Sequence, residues 1–348
     1  MAAATVRGVL RGASMLYGAA VSLRNRRYDR SPSAVARLPV PVISIGNITT
    51  GGTGKTPLVM EVVRRLCDRG LRPAVVSRGY KARAGGPGDE LLLLRRRLGD
   101  VPCIAAPDRL AGGRLALQRY GANVIVLDDA FQHRRIARDL DVVVIDATCP
   151  FGHGRLLPGG LLREPLRELR RASLLVVSRA DQVSAEQLTS IDTTLEAHAP
   201  SVRRIRSAHR PATLVRIDGV ETRLEPEDIG RSYCFAGIGN PASFRNIVAR
   251  MGIEIADVRW WPDHHAYRRR DAAALQGAAH DCGAAVLLTT EKDAVKLAAL
   301  PVQWSVPVYA VRIEVDFFAD GGTILACALD RTLDPRPDTD GTRQIRTD

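Results

Sequence analysis

Residues 46–57 read Gly46-Asn47-Ile48-Thr49-Thr50-Gly51-Gly52-Thr53-Gly54-Lys55-Thr56-Pro57, directly after the apolar run Pro41-Val42-Ile43-Ser44-Ile45. A strand that enters a glycine-rich turn ending Gly-Lys-Thr and then opens a helix is a phosphate cradle. Backbone N–H groups of the turn curl around the β- and γ-phosphates, Lys55 adds a point charge, and the Thr56 hydroxyl can take a Mg²⁺ position. A helix expected over Leu58–Asp68 aims its positive dipole end at the same anion. Thr49 stands where the strict Walker A pattern has glycine, but Gly54-Lys55-Thr56 is intact. Pro57 fits, because N–H groups in the first helical turn have no intrahelical partner. Thr49, Thr50, Gly51, Gly52, Thr53, Gly54, Lys55 and Thr56 are therefore the candidate nucleotide-binding residues. The open question is where the phosphate goes.

Outward from this loop, residues 39–207 alternate short apolar runs with helical stretches. Strands are expected at Pro41–Ile45, Ala74–Ser77, Val124–Leu127, Val142–Ile145 and Leu174–Val177. The alternation predicts an α/β lobe with a mostly parallel sheet, a P-loop NTPase-like domain over 31–207, with nucleotide at the carboxyl ends of the strands. Residues 208–230 read as a polar connector with a short strand at Thr213–Ile217. A second, smaller α/β lobe follows over 231–331. It has strands at Tyr233–Ala236, Val258–Trp260, Ala285–Thr289 and Val308–Val311, and helices at Pro241–Met251 and Asp271–Cys282. The tail 332–348 is rich in Asp, Arg, Pro and Thr and reads as disordered.

Residues 1–30 form a segment of their own. Val6, Val9, Leu10, Ala13, Tyr17 and Ala20 fall on one face of a helix; Arg7, Arg11, Ser14, Gly18, Ser22 and Asn25 fall on another. A basic cluster follows at Arg24, Arg26, Arg27 and Arg30. The uncharged stretch Gly12–Leu23 is too short to span a bilayer. It suits an amphipathic helix in the interface of an anionic leaflet, or a helix docked on the protein's own core. A signal peptide is set aside, because a nucleotide site belongs in the cytosol.

The length of 348 residues favours two domains, and the net charge of +12 comes mostly from arginine. Such a charge suits a polyanionic substrate, an anionic membrane surface or an arginine-rich genome. No aromatic-interleaved basic stretch points to nucleic acid. The six cysteines lie more than thirty residues apart with no zinc spacing, and read as small core residues of a reducing compartment. Nothing in the sequence fixes an oligomeric state.

Several short constellations carry chemistry. Val124-Ile125-Val126-Leu127-Asp128-Asp129 has the form of a Walker B strand. Two acids after a strand also suit a turn or cap, but beside a P-loop they read as Mg²⁺-holding carboxylates. Gln132 and His133 follow at the same edge. Gly88-Asp89-Glu90 closes a Gly/Pro-rich loop beyond Ser77-Arg78-Gly79-Tyr80 and belongs to that edge too. Arg163, at the start of an expected helix, could neutralise a transferring phosphoryl group. Asp263-His264-His265 lacks a third metal ligand at suitable spacing and suits proton transfer. Thr290-Glu291-Lys292-Asp293 reads as a helix start. Ser178-Arg179-Ala180-Asp181 stands where GTPases read guanine, but only the Asp matches.

These pieces, in this order, resemble the tetraacyldisaccharide 4'-kinase (lipid A 4'-kinase) family of Gram-negative bacteria. The resemblance runs over residues 42–296, on Val42–Pro57, Val76–Tyr80, Gly88–Glu90, Asp128–Arg134, Asp139–Asp146, Phe151–Glu164, Ala236–Pro241, Asp263-His264 and Thr290–Lys296. It implies an ATP- and Mg²⁺-dependent kinase that phosphorylates the 4'-hydroxyl of a tetraacylated glucosamine disaccharide 1-phosphate, giving lipid IVA. It implies a monotopic enzyme at the cytoplasmic face of the inner membrane, with two α/β lobes joined by a β-type linker. Carried onto this sequence, Lys55 and Thr56 hold phosphates and Mg²⁺, and Asp89 is the base with His264 its partner. Asp128, Asp129, Glu90 and His133 shape the metal and phosphate site, and Arg163 meets the moving phosphoryl group. The N-terminal segment is shorter and less apolar than the family's. A GTPase or metallochaperone-type switch is the competing reading; Thr50 stands where the metallochaperone loop has lysine.

Overall fold

Each half of the chain winds strands and helices alternately, and one strand joins the two. The structure, a computed structural model, describes residues 2–79, 88–218, 221–222 and 226–334. The elements in the first half are α1 (Ala2–Arg30), β1 (Val42–Asn47), α2 (Lys55–Asp68), β2 (Pro73–Ser77), α3 (Asp89–Leu98), β3 (Cys103–Ala105), α4 (Arg109–Tyr120), β4 (Val124–Asp128), β5 (Leu140–Asp146), β6 (Leu174–Ser178), α5 (Ala185–His198) and β7 (Arg203–Arg216). The second half has β8 (Glu221–Thr222), α6 (Pro226–Ile229), β9 (Ser232–Ala236), α7 (Pro241–Arg250), β10 (Ile255–Trp260), α8 (Arg269–Asp281), β11 (Val286–Thr290), α9 (Glu291–Leu297), β12 (Val308–Phe317) and α10 (Gly321–Leu333).

Among the described residues the strands form one sheet in the order β10-β9-β11-β12-β7-β6-β5-β1-β4-β2-β3, with β8 beside β7. Pairing is parallel except where β7 meets β12 and β8. Strands β1, β2, β4, β5 and β6 are buried along their whole length. Continuous apolar runs are what a parallel strand covered on both faces needs. β1 lies between β4 and β5; the chain builds β2, β3 and β4 on one side of it before crossing to β5 on the other, and the Gly-rich loop sits at that switch point.

The α/β architecture is the expected one, and its exceptions have physical causes. The segment 208–230, read as a connector, opens with the second half of β7, which runs fourteen residues from Arg203. It pairs in parallel with β6 through Arg203–Arg206 and antiparallel with β12 through Ser207–Arg216. Exposed or half-exposed Arg204, Arg206 and Arg210 alternate with the buried Ile205, Ser207 and His209 and mask them. Pro211 lies at a register shift against β12, where a missing donor is tolerated. α10 closes the chain by returning to the first half: Leu325 and Leu329 pack with Ile43, Leu66 and Ile205. Thr332 and Leu333, expected in the tail, end this helix, and residues 335–348 lie outside the described ones. Cys67 and Cys327 are exposed, unlike the buried Cys103 and Cys234.

α1 sits differently from the expected two-faced helix. The stripe read as polar turns inward: Ser14 Oγ donates to Leu156 O (3.0 Å) and accepts from Gly159 N (2.9 Å). Tyr17 Oη, read on the apolar face, donates to Arg163 O (2.9 Å). Arg167 donates to Ser22 Oγ, and Asn25 Nδ2 to the fully buried Glu164. Val9, Met15, Leu16 and Leu23 point outward, 67–76% exposed. The side chains of residues 1–7, Val6 and Arg7 among them, lie outside the described ones. Among the described residues, no helix is long and apolar enough to cross a membrane.

The packing above the loop is tight. A Cβ added to Gly46 would lie 2.6 Å from Phe131 Cβ and 2.7 Å from Phe131 N. Phe131 is fully buried and cannot yield. Gly46→Ala should therefore cost about 1–3 kcal/mol. Urea unfolding checks this: an unchanged midpoint and slope would show that β1 has room to move.

Candidate active site

The loop takes the shape its glycines allow. Gly51 has φ +106° and Gly54 φ +81°, conformations that strain an L side chain. α2 begins at Lys55, three residues before the expected start, with Pro57 in its first turn. Asn47 Nδ2 donates to Thr49 O (2.8 Å) and Thr53 Oγ1 (3.0 Å). Thr50 N donates to Leu161 O (2.8 Å), and Arg163 N donates to Ile48 O (2.7 Å). Arg163 is thus fixed beside the loop by backbone pairing. It does not start a helix: the turn of 3-10 helix begins at Leu166.

At the end of β4 the two aspartates have opposite environments. Asp129, at φ +51°, takes Arg163 Nη1 at 2.9 Å on both oxygens and Lys55 Nζ at 3.4 Å. Burial pushes its pKa up, but Lys55 and Arg163 outweigh burial and hold the carboxyl well below the usual range. Asp128 is buried, and burial first, then the nearby Glu90 charge, push it well above that range. Arg109, 2% exposed, points Nη2 at the carbonyls of both aspartates (3.4 Å each). Gln132 Nε2 donates to Asn47 O (2.8 Å). His133 lies at the same edge, its Nε2 buried without a hydrogen-bond partner. Burial and the Arg109 charge hold its pKa down at about 4, so the ring is neutral.

The other wall is shared by α3 of the first half and segments of the second. Asp89 is the first residue of α3, and His264, at φ +63°, follows β10. His264 Nδ1 lies 3.0 Å from each Asp89 oxygen. From α9, Lys296 Nζ stands 3.8 Å from Asp89, and Lys292 Nζ reaches Glu90 (3.3 Å) and Asp263 (3.6 Å). Burial raises the Asp89 pKa, but the His264 hydrogen bond, Lys292 and Lys296 reverse this and hold it at about 2. Asp89 is therefore a carboxylate at any working pH. Tyr80 and loop residues 84–87 lie outside the described residues.

A cavity of about 650 Å³ lies between the halves, walled by Lys55, Asp129, Arg163 and His133 on one side and Glu90, His264 and Lys292 on the other. Tyr17 and Arg24 of α1 close one end of it. Most sequence-derived candidates thus converge on one space. Glu90 faces Lys292, and His265 turns away to Asp271 and stacks on Trp261. Three groups were not assigned from sequence. Lys292 lay within the segment read as a helix start and Lys296 three residues beyond it; the signal was that α9 opens at the carboxyl end of β11. Arg109 left no signal, because only its burial distinguishes it from the chain's other arginines.

The residues fit a magnesium nucleotide. The loop offers backbone donors, Lys55 and the Thr56 hydroxyl to an anion. Asp128 is held in an unfavourable burial that a divalent cation would relieve. Among the described residues no set of three or more His, Cys, Asp and Glu forms a closed metal cage. Mg²⁺ needs none, since it keeps waters and phosphate oxygens as ligands.

A P-loop beside paired acids, facing a carboxylate–histidine pair across a cleft, defines a P-loop phosphotransferase. Residues 6–332 match the family model described as tetraacyldisaccharide-1-P 4'-kinase. The chain is 40% identical over 311 residues to the tetraacyldisaccharide 4'-kinase of Syntrophus aciditrophicus, covering 82% of this chain and 83% of that one. It is 39% identical over 312 residues to that of Chlorobaculum tepidum, covering 84% and 87%. The crystal structure of LpxK from Aquifex aeolicus in complex with ATP superposes with a TM-score of 0.72 at 29% identity, over 94% of this chain and 99% of that one. The chain belongs to the tetraacyldisaccharide-1-P 4'-kinase family.

The low pKa of Asp89 has a stability consequence. Its folded value lies below its unfolded value, so its contribution is complete above about pH 5 and falls away toward pH 2. Asp89→Asn should therefore destabilise the protein at pH 7, and the gap to wild type should narrow between pH 5 and pH 3. Urea midpoints across that range check it; a gap independent of pH would show that Asp89 owes its stabilising role to shape alone.

Proposed function

We propose that this protein is an ATP-dependent kinase that phosphorylates the 4'-hydroxyl of a tetraacylated glucosamine disaccharide 1-phosphate, forming lipid IVA in lipid A biosynthesis. The observation that carries the site assignment is the Asp89–His264 pair, 3.0 Å apart, whose His264 lines the same cavity as Lys55 while Asp89 stands behind it. Magnesium, held through Thr56 and the Asp128/Asp129 edge, would supply charge neutralisation on the triphosphate. Lys55 and the loop N–H groups bind its phosphates. Arg163 stands beside Lys55 through their shared Asp129 and is placed to take up charge on the moving phosphoryl group. Glu90 and His133 line the same cavity and shape the space around that group.

Asp89 accepts the proton of the acceptor hydroxyl as its oxygen bonds to the γ-phosphorus and the bond to the leaving ADP breaks. A carboxylate of such low pKa holds a proton poorly. His264, bonded to it through Nδ1, stabilises the protonated pair as one unit. The two sit on different halves of the molecule and meet across the cleft, so the site is complete only where both halves contribute.

The acceptor is a lipid, and α1 supports a membrane-surface reading. Val9, Leu16 and Leu23 recur every seven residues along its outer face with Met15 beside them, while Arg26 and Arg27 follow. Such a face suits the interface of an anionic leaflet, here the cytoplasmic face of the inner membrane.

The activity is tested by ATP consumption with and without the lipid disaccharide. Turnover should require the acceptor and fall to background in Lys55→Ala. Asp89→Asn should lose about a hundred- to ten-thousandfold in kcat with ATP affinity retained. Acceptor-independent hydrolysis at the same rate would instead mark a switch ATPase. For the membrane reading, Leu16→Glu/Leu23→Glu should release the protein from anionic vesicles while kcat on detergent-dispersed acceptor holds. Undiminished vesicle binding would exclude the outer face of α1 as the contact.

A further inference from the structure

The segment Ser178-Arg179-Ala180-Asp181, which does not read guanine by its sequence, has a different occupation. Arg179 sits at φ +55°, a left-handed conformation rare outside glycine, and its side chain is buried under the P-loop. Its guanidinium pairs with Asp146 at the end of β5, and Nη2 donates to Gly52 O at 2.9 Å. The preceding Ser178 Oγ donates to Thr53 O at 3.0 Å. From β7, the His209 ring lies directly under Gly54: a Cβ built there would be 2.4 Å from His209 Cε1. His209 is 3% exposed and its Nε2 has no hydrogen-bond partner. Burial, then the Arg179 charge, hold its pKa at about 3, so the ring adds bulk without charge.

These contacts fall on consecutive peptides and on one side of the loop. In a planar trans peptide the C=O and the following N–H point in opposite directions. Fixing Gly52 O and Thr53 O against the end of β6 therefore fixes the orientation of the next N–H groups: Thr53 N donates within the loop to Gly51 O (3.1 Å), and the Gly54 N–H is turned to the side away from β6. Gly54 itself can neither flip nor sink, because His209 fills the space beneath it. A buried ion pair is poor value as a source of stability, whereas a rigid fork that bonds a carboxylate and a carbonyl at once sets orientation.

We propose that Arg179, with Ser178 and His209, is a positioning residue that aims the P-loop N–H groups at the nucleotide phosphates. The proposal rests on the nucleotide reading of the loop. It assigns to the end of β6 a role on the phosphate side of the ligand in place of base recognition.

The test measures Mg–ATP affinity by titration calorimetry, KM for ATP, KM for the lipid acceptor and thermal stability in the full-length protein. Arg179→Met alone strands the Asp146 charge and threatens folding, so the deciding variant is Arg179→Met/Asp146→Asn, which removes both buried charges. It should weaken ATP binding about ten- to a hundredfold and leave the acceptor KM unchanged. Arg179→Lys should recover part of the loss, since one ammonium can reach Asp146 or Gly52 O but does not form the fork. His209→Ala should raise KM for ATP severalfold by letting Gly54 relax. Folded double variant with wild-type ATP affinity would overturn the proposal, as would a loss of melting temperature with both KM values unmoved. Wild type and Lys55→Ala run alongside: a wild-type protein that binds no Mg–ATP would overturn the nucleotide reading itself.

Discussion

Strand β7 is the constraint on which the geometry of this molecule depends. Its first residues add to the parallel sheet of the P-loop half, and the rest pairs antiparallel with β12. The two halves are therefore one hydrogen-bonded sheet, and the carboxyl edges of both sets of parallel strands look into one cleft. Every functional contact follows from that. Asp89 meets His264, Glu90 meets Lys292 and Arg97 meets Glu291, each joining α3 of the first half to a segment of the second. β7 also carries His209 beneath Gly54. Pairing along one strand thus fixes both the relation between halves and the floor of the P-loop.

Charge then divides labour along the cleft. Asp129 is held ionised by two cations, and Asp89 by a histidine and two lysines, whereas Asp128, a neighbour in sequence, is pushed the other way by burial. Carboxyls that share a site but differ in desolvation can serve different ends. A permanent carboxylate suits holding a hydrogen-bonded or cationic partner in place; a buried acid waiting for positive charge suits a cation site. The net charge of +12 is thus only partly a matter of surface. Arg109, Arg163, Arg171 and Arg179 are buried or half-buried, and each meets a carbonyl or a carboxylate of the active half.

Much of this was legible in the sequence because parallel strands buried on both faces write themselves as apolar runs. β1, β2, β4, β5 and β6 stood out for that reason, and the P-loop and acid pair stood at their ends. β7 was half-lost, since a strand covered on one face with arginines on the other reads as a polar connector. β3 is three residues long and below any periodicity. Lys292 and Lys296 needed the tertiary contact of α9 with α3 before they could be distinguished from a capped helix start. Arg163 was found by motif, yet its location depends on backbone pairing between residues 48–50 and 161–163 that no local pattern encodes.

The faces of α1 show most directly how a pattern can be present and its orientation still be missed. Amphipathicity at 3.6-residue spacing says that two faces differ; it does not say which one meets the protein. Here the small and polar residues Ser14, Gly18, Ser22 and Asn25 turn inward, because the surface they meet is polar. It offers the carbonyl of Leu156, the N–H of Gly159 and the buried Glu164, whose charge Arg24 and Arg171 share. An apolar face pressed there would have left those groups unpaired, at a cost that exceeds what Val9 and Leu16 gain by burial. Val9, Met15, Leu16 and Leu23 are consequently left on the outer side, while Tyr17 and Arg24, turned inward, reach the cavity that holds His264 and Arg163. One helix thus does two things at once: hydrogen bonds dock its inner side, where Tyr17 and Arg24 line the cleft, and its large apolar side chains stay exposed.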